Sequence, residues 1–149
     1  MNYNSFNFRQ AEEILNSKKE IFDEIKVTIG GLIFTPLQKG DHDKIIQAFK
    51  SKGWTNEEKI SQDLRKEWRY DAYKGRVAVE VDTKSGCYRS FLKFVLGYNL
   101  GKIDVGVVIV YNMPDTESHH GRRFWVTRKE LEDLKTIIPA PIFLIGIHP

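Results

Sequence analysis

The stretch DAYKGRVAVEVDTK, residues 71–84, decides the fold. Apolar and polar residues alternate on either side of a lysine-glycine pair, and this pattern predicts a β-hairpin with a short turn. Successive side chains of a strand point to opposite faces, so the valines of the second strand share one face and Glu80, Asp82 and Lys84 share the other. The valine face is expected to be core, and the polar face to carry chemistry or to contact water.

The segments around the hairpin predict helices and buried strands. Residues 8–29, 41–52 and 88–100 show the three- and four-residue apolar spacing of amphipathic helices. The runs VGVVIVYN (105–112) and IFLIGI (142–147) are typical of fully buried strands. Hairpin, helix, strand, helix and strand in this order predict an α/β (α+β) fold, in which a mixed β-sheet is flanked by helices.

Two further helix starts are predicted from capping signals. Thr55 is followed by Asn56 and two glutamates, and Thr127 is followed by Glu130, three residues on, as in a capping box. Residues 1–66 are therefore expected to be mainly helical.

Composition limits the class of protein. A chain of 149 residues with 41% apolar and 29% charged residues is expected to form a single domain, residues 1–149. No apolar run approaches the ~18 residues that span a bilayer, so no membrane association is expected. The N-terminus lacks the pattern of a secretory signal and Cys87 is the one cysteine, which together predict a cytoplasmic location.

The acids of the hairpin form a candidate metal site. Carboxylates two residues apart on a strand lie about 6.6 Å apart, and Asp71 on the preceding strand can approach Glu80 and Asp82. Such hard oxygen donors suit Mg²⁺ or Mn²⁺. The alternative is that these acids belong to the solvated face of an antiparallel sheet.

The order of the motifs adds a family resemblance. Asp71, eight intervening residues and Glu80-Val81-Asp82 are followed by a helix, GKIDVGVVIVYN and PIFLIGI. This arrangement, over roughly residues 8–147, resembles the catalytic core of the BglII-like and BamHI-like type II restriction endonucleases of the PD-(D/E)XK nuclease superfamily. The resemblance implies a Mg²⁺-dependent homodimer, with Mn²⁺ able to substitute, that hydrolyses phosphodiester bonds of double-stranded DNA at a short palindromic site.

The resemblance also implies roles for the hairpin residues. Asp71, Glu80 and Asp82 would bind the metal ion. Asp82 departs from the pattern, since most of the superfamily has lysine there and this branch has glutamine or glutamate. An ionised aspartate binds metal but cannot donate a proton, so activation of the attacking water would depend on the metal. A second alignment, Asp71 with Asp82-Thr83-Lys84, makes Lys84 the residue that stabilises the nucleophile or the developing charge; in the first alignment, which is preferred, Lys84 is accessory.

Basic residues outside the hairpin are candidates for DNA contact. Arg89 and Lys93 are four residues apart and are expected on the same face of the helix 88–100. Arg122 and Arg123 lie in a polar stretch that is expected to be a loop. The alternative in both places is a solvated surface.

Three functions remain open at this point. The first is a Mg²⁺-dependent DNA endonuclease, for which the resemblance also implies that an acid of the first helix, Glu20 or Glu24, could join the site. The second is a DNA-binding protein with a nuclease fold that does not cleave, which Asp82 in the third motif position would favour. The third is an interaction domain whose strand acids are only solvated.

Overall fold

A mixed β-sheet lies at the centre of the structure, a computed structural model that describes residues 3–34, 40–64, 68–83, 87–112 and 123–148. Its five strands are ordered β1-β7-β6-β5-β4, and a separate pair is formed by β2 and β3. The strands are β1 (Tyr3–Phe8), β2 (Glu58–Lys59), β3 (Arg69–Tyr70), β4 (Ala72–Lys74), β5 (Val77–Val81), β6 (Val105–Tyr111) and β7 (Ile142–Ile147).

Helices cover both faces of this sheet. They are α1 (Ala11–Ser17), α2 (Lys19–Gly30), α3 (Asp41–Ser51), α4 (Tyr88–Asn99) and α5 (Arg123–Asp133). The first three pack against the face that carries the valines of β5, and α4 and α5 pack against the opposite face. The predicted fold class is confirmed. No helix in the described part of the chain has both the length and the apolar character needed to cross a bilayer.

The parallel strands bring their carboxyl ends together at the edge of the sheet where the acids lie. Strands β5, β6 and β7 run parallel, with α4 and α5 in the two connections, whereas β4 and β1 add antiparallel strands at the sides. Asp82 directly follows β5, and its N–H still donates to the carbonyl of Ile109 on β6. The carboxyl end of β5 is therefore fixed beside that of β6.

The turn of the hairpin sets the register of the acids. Gly75 and Arg76 both have positive φ, 54° and 66°, which is the geometry of a type I′ turn. Ala72 pairs with Val79, so one step further along the hairpin places Asp71 opposite Glu80.

Strand β5 is buried on both faces. The prediction that its valine side is core is confirmed. The other side is not open to water as an antiparallel strand would allow, since Ala78 is fully buried and Glu80 is 4% exposed. The reason is that a strand with a parallel neighbour has helices on both faces, and here α4 covers the polar side.

Most predicted elements are confirmed, but three of the helix predictions are wrong. The helix 88–100 and the strands within 105–112 and 142–147 are present. Residues 8–29 form two helices, because Lys18 leaves the helical conformation between them. Thr55 starts no helix: its backbone pairs with that of Tyr73, and Glu58–Lys59 is a strand. Helix α5 begins at Arg123, so Thr127 lies inside it.

Strand β1 is missing from the sequence prediction. It pairs antiparallel with β7 from Tyr3↔Ile147 to Phe8↔Ile142. Asn4, Ser5 and Asn7 interrupt its aromatic residues, so the segment lacks the apolar pattern that predicts a strand. Such polar residues are tolerated at the side of a sheet, where only one neighbour completes the ladder.

Candidate active site

Three carboxylates meet where the β4–β5 hairpin opens. Asp71 precedes β4, Glu80 is on β5 and Asp82 follows it. The N–H of Asp71 donates to Oε1 of Glu80 at 3.3 Å. Ser90 on α4 contacts both other acids, Glu80 at 3.3 Å and Asp82 at 2.5 Å. The structure therefore brings together the three acids that the sequence nominates.

Asp71 is partly exposed and its side chain is fixed through one oxygen. Its Oδ2 accepts the N–H of Val81 at 2.8 Å and lies 3.5 Å from Nε2 of His42. The amide of Asn56 also donates to the backbone carbonyl of Asp71 at 2.9 Å. Both of these side-chain contacts are made by Oδ2.

Glu80 is a buried acid paired with a buried lysine. Nζ of Lys93 lies 2.7 Å from Oε2 and 2.9 Å from Oε1 of Glu80. Burial first, and then the charge of Asp71, raise the pKa of Glu80 to about 8, although Lys93 acts in the opposite direction. A nearby positive charge therefore stabilises the ionised form of Glu80 more than it would stabilise that of an exposed glutamate.

Asp82 and His42 have shifted pKa values as well. Burial raises the pKa of Asp82, and the hydrogen bond from Ser90 partly offsets this effect. The Asp71 carboxylate, helped by Asp43, raises the pKa of His42 to about 9. His42 thus adds a positive charge at the rim of the acidic cluster, at neutral pH.

Cys87 is a buried thiol beside Asp82, as expected for a cysteine that packs in the core. Its Sγ is 3.4 Å from Oγ1 of Thr127 on α5, and the thiol is buried. Burial and the charge of Asp82 raise the pKa of Cys87 to about 12, so it stays protonated at neutral pH.

The donor chemistry fits a hard divalent cation. Carboxylate oxygens from three residues at one edge of a sheet are the ligands that Mg²⁺ and Mn²⁺ accept. In the part of the chain that the structure describes, no three His, Cys, Asp or Glu side chains are already arranged around a single point as metal ligands. Instead, each of the three acids is held by a donor from the protein: Val81 N–H, Lys93 or Ser90.

The structure corrects the prediction for Lys93. It was expected beside Arg89 on an exposed helix face, ready for a DNA phosphate. Arg89 is exposed, but Lys93 is 8% exposed and points into the molecule toward Glu80. Lys93 therefore belongs to the acidic site and not to the helix surface.

The remaining predicted site residues divide into two groups. Lys84 and Arg122 lie outside the described residues. Arg123 is the first residue of α5 rather than part of a loop. Glu24 does not join the acids: it binds Lys74 at 2.8 Å and Trp54 at 2.9 Å, and Glu20 is exposed.

Sequence reasoning missed four contributors to the site: His42, Asn56, Ser90 and, in its true role, Lys93. Ser90 and Lys93 are three residues apart on the helix that follows β5, a spacing that could have indicated a shared face toward the acids. His42 and Asn56 come from distant segments, and no local pattern indicates their position.

Comparison with known proteins identifies the class to which this fold and site belong. Residues 3–147 match the family described as restriction endonuclease BglII/BglIII. The chain belongs to this family of restriction endonucleases. A comparison with curated protein sequences gives no significant match.

Two solved structures show the same fold. The crystal structure of the restriction endonuclease BglII complexed with a DNA 16-mer superposes with a TM-score of 0.77 at 19% identity, over 100% of this chain and 77% of that chain. Free BglII superposes with a TM-score of 0.67 at 22% identity, over 99% of this chain and 79% of that chain. The likeness to these structures establishes the fold.

Proposed function

We propose that the protein is a Mg²⁺-dependent endonuclease that hydrolyses phosphodiester bonds of double-stranded DNA, with Mn²⁺ able to replace Mg²⁺. The observation that carries this proposal is the meeting of Asp71, Glu80 and Asp82 at one sheet edge in a chain of the BglII/BglIII family. The buried position of Glu80 argues against a merely solvated strand face.

Asp71, Glu80 and Asp82 are the residues that would hold the ion. A bound divalent ion would lower the pKa of a water molecule and stabilise the negative charge that develops on the phosphate. The protein keeps these oxygens in place through its own donors, which are the N–H of Val81, Lys93 and Ser90. Lys84 is proposed as an accessory residue on the basis of sequence alone.

Double-stranded DNA is the proposed substrate, and it suits the basic residues near the site. The similar BglII structure is a complex with a DNA 16-mer. Arg89 is exposed on the second residue of α4, and Arg123 opens α5. Together with Arg122, they are proposed to contact phosphates or base edges.

A homodimer is proposed because a two-fold axis matches a palindromic site. Helices α4 and α5 adjoin, since Cys87 at the start of α4 contacts Thr127. They expose large apolar side chains, which a second copy could cover: Tyr88 at 59%, Leu92 at 48%, Trp125 at 54% and Val126 at 51%. Residues 1–149 are proposed to act as one nuclease domain in the cytoplasm.

Cleavage of DNA is the direct test. Mixed-sequence plasmid and genomic DNA are incubated with the protein and Mg²⁺, Mn²⁺ or EDTA at low salt. Discrete fragments that need the divalent ion and disappear in Glu80→Ala are expected. Asp104→Asn is the matched control, because Asp104 is an acid near the turn of the same hairpin, paired with Arg76 and Lys18.

Other results would change the assignment. Intact DNA with retained, salt-sensitive binding would indicate a DNA-binding protein that does not cleave, as Asp82 in the third motif position would allow. Neither cleavage nor binding would reject the nuclease proposal and leave the acids with a structural role.

A further inference from the structure

The first and second turns of α4 direct two polar side chains onto Glu80 of β5 and Asp82, which follows it. Ser90 is 2% exposed and Lys93 is 8% exposed, and their three-residue spacing places them on one face of the helix. Glu80 and Asp82 are two residues apart on an extended backbone, so their side chains point to the same face of the sheet. Two donors on the helix therefore oppose two acceptors on the strand.

The contacts divide between the two acids. The Lys93 ammonium donates to both oxygens of Glu80, at 2.7 and 2.9 Å. Ser90 Oγ lies 2.5 Å from Oδ2 of Asp82 and 3.3 Å from Oε2 of Glu80. A hydroxyl has a single hydrogen, so Ser90 donates to one carboxylate at a time, and the shorter contact is with Asp82.

The lysine is not needed to fill space in the core. Its neighbour Phe94 and the nearby Phe91 are buried apolar residues that already pack on this side of the sheet. Burying an ammonium and a carboxylate has a desolvation cost that often equals the attraction between them. The pair is therefore better explained by what it does to Glu80 than by a gain in stability.

We propose that Lys93 and Ser90 are positioning residues, which orient the carboxylates of Glu80 and Asp82 toward the divalent ion. Helix α4 thereby places a positive charge beside Glu80 and a hydroxyl beside Asp82. This inference rests on the proposed function, because it assigns the supports of the same metal-binding acids.

The positioning contacts leave room for the ion. A carboxylate offers about four lone-pair sites on its two oxygens. Glu80 uses three of them, two for Lys93 and one for the N–H of Asp71. Asp82 uses one for Ser90 and one for the Cys87 thiol. Each acid therefore keeps acceptor capacity for a metal while its orientation is fixed by the helix.

Metal binding without DNA is the primary measurement, with Mn²⁺ titrated into the protein by calorimetry. Ser90→Ala and Lys93→Gln are expected to weaken Mn²⁺ binding by about 10- to 100-fold, the usual effect of losing a residue that orients a ligand. Their affinity for duplex DNA in EDTA should be unchanged, while the single-turnover cleavage rate falls. Lys129→Gln, the same substitution at an exposed lysine of α5, should change neither binding nor cleavage.

A loss of folding would not be mistaken for a loss of positioning. Lys93→Gln leaves Glu80 without its ammonium, so circular dichroism and the unfolding midpoint are measured first. Ser90→Ala keeps the ion pair, and if Lys93→Gln does not fold, Ser90→Ala alone decides the question.

Two results would overturn the proposal. Folded Ser90→Ala and Lys93→Gln proteins with wild-type Mn²⁺ affinity and cleavage would show that α4 does not orient the ligands. Tighter Mn²⁺ binding by Lys93→Gln would show that Lys93 competes with the ion. Both results count against this inference alone when the wild-type protein cleaves DNA, whereas a wild-type protein that neither binds Mn²⁺ nor cleaves DNA overturns the proposed function as well.

Discussion

Acidic and basic side chains lie at both ends of the β4–β5 hairpin, but the acids are paired with cations at one end and clustered with one another at the other end. At the turn end, Lys74 binds Glu24 at 2.8 Å, and Asp104 binds Arg76 at 2.7 Å and Lys18 at 3.0 Å. At the open end, three acids are held together by backbone, hydroxyl and ammonium donors.

The pKa shifts express this difference. At the turn end, the hydrogen bond from Lys74 lowers the pKa of Glu24, and the hydrogen bond from Arg76 lowers that of Asp104. At the open end, burial raises the pKa of Glu80 and of Asp82. A lowered pKa means that neighbouring cations already stabilise the carboxylate. A raised pKa means that the carboxylate would be stabilised by an added cation. The same hairpin thus has an end at which the acids form ion pairs and an end at which the proposed metal ion would stabilise them.

The largest expected effect is the loss of cleavage in Glu80→Gln. The substitution keeps the size of the side chain but removes a charge that is proposed to bind the metal ion, and we expect the single-turnover rate to fall by roughly 10³-fold or more. Asp104→Asn removes an acid at the turn end and should retain cleavage close to wild type. Equal losses in the two variants would contradict the division of the hairpin into a structural and a functional end.

Stabilisation by metal should also separate the two ends. At a Mn²⁺ concentration about 100 times the dissociation constant, binding adds about 2.7 kcal/mol to the free energy of unfolding, or roughly 5–10 °C in Tm. EDTA should remove this gain, and Asp71→Asn should abolish it. A gain that persists in Asp71→Asn but disappears in Asp104→Asn would place the ion at the wrong end of the hairpin.

The sequence allowed the hairpin and its acids to be predicted, but not the donors that hold the acids. Alternation and continuous apolar runs are local signals, so β5, β6 and β7 could be identified. The roles of Arg89 and Lys93 could not be separated, because four residues advance a helix by about 400° and leave neighbours only about 40° apart. The boundary between exposed and buried surface passes between these two residues, and tertiary packing alone determines it.

The surroundings of Asp71 depend on contacts between residues that are far apart in the sequence. Helix α3 carries the buried Asp41, which accepts a hydrogen bond from Tyr111 at the end of β6 at 2.5 Å. This contact fixes the start of α3 and with it His42, which lies 3.5 Å from Asp71. Residues about seventy positions apart thus define one corner of the site, and no periodicity reports such a contact.

His42→Ala should have an intermediate effect. It removes one of the two contacts to Oδ2 of Asp71 and leaves the N–H of Val81. Cleavage is expected to fall by about 10-fold, the lower range for residues that support a metal ligand. Single-turnover rates of His42→Ala and of Asp43→Ala measure this effect, and the second variant should lose less, since Asp43 contacts the ring rather than the acid. A wild-type cleavage rate for His42→Ala would show that the imidazole does not support Asp71 in catalysis.

The smallest expected effect is the pH dependence of stability at the turn end. Arg76 and then Lys18 lower the pKa of Asp104 in the folded protein relative to the unfolded chain. The pair therefore stabilises the fold at neutral pH, and this contribution is lost as the pH falls through the lowered pKa. Asp104 is partly exposed, so Asp104→Asn should cost only about 0.5–1 kcal/mol at pH 7. Urea unfolding at a series of pH values should show this difference shrinking as the solution becomes more acidic. A difference that grows with acidity would mean that Asp104 is not stabilised by its cations, and the contrast between the two ends of the hairpin would then fail.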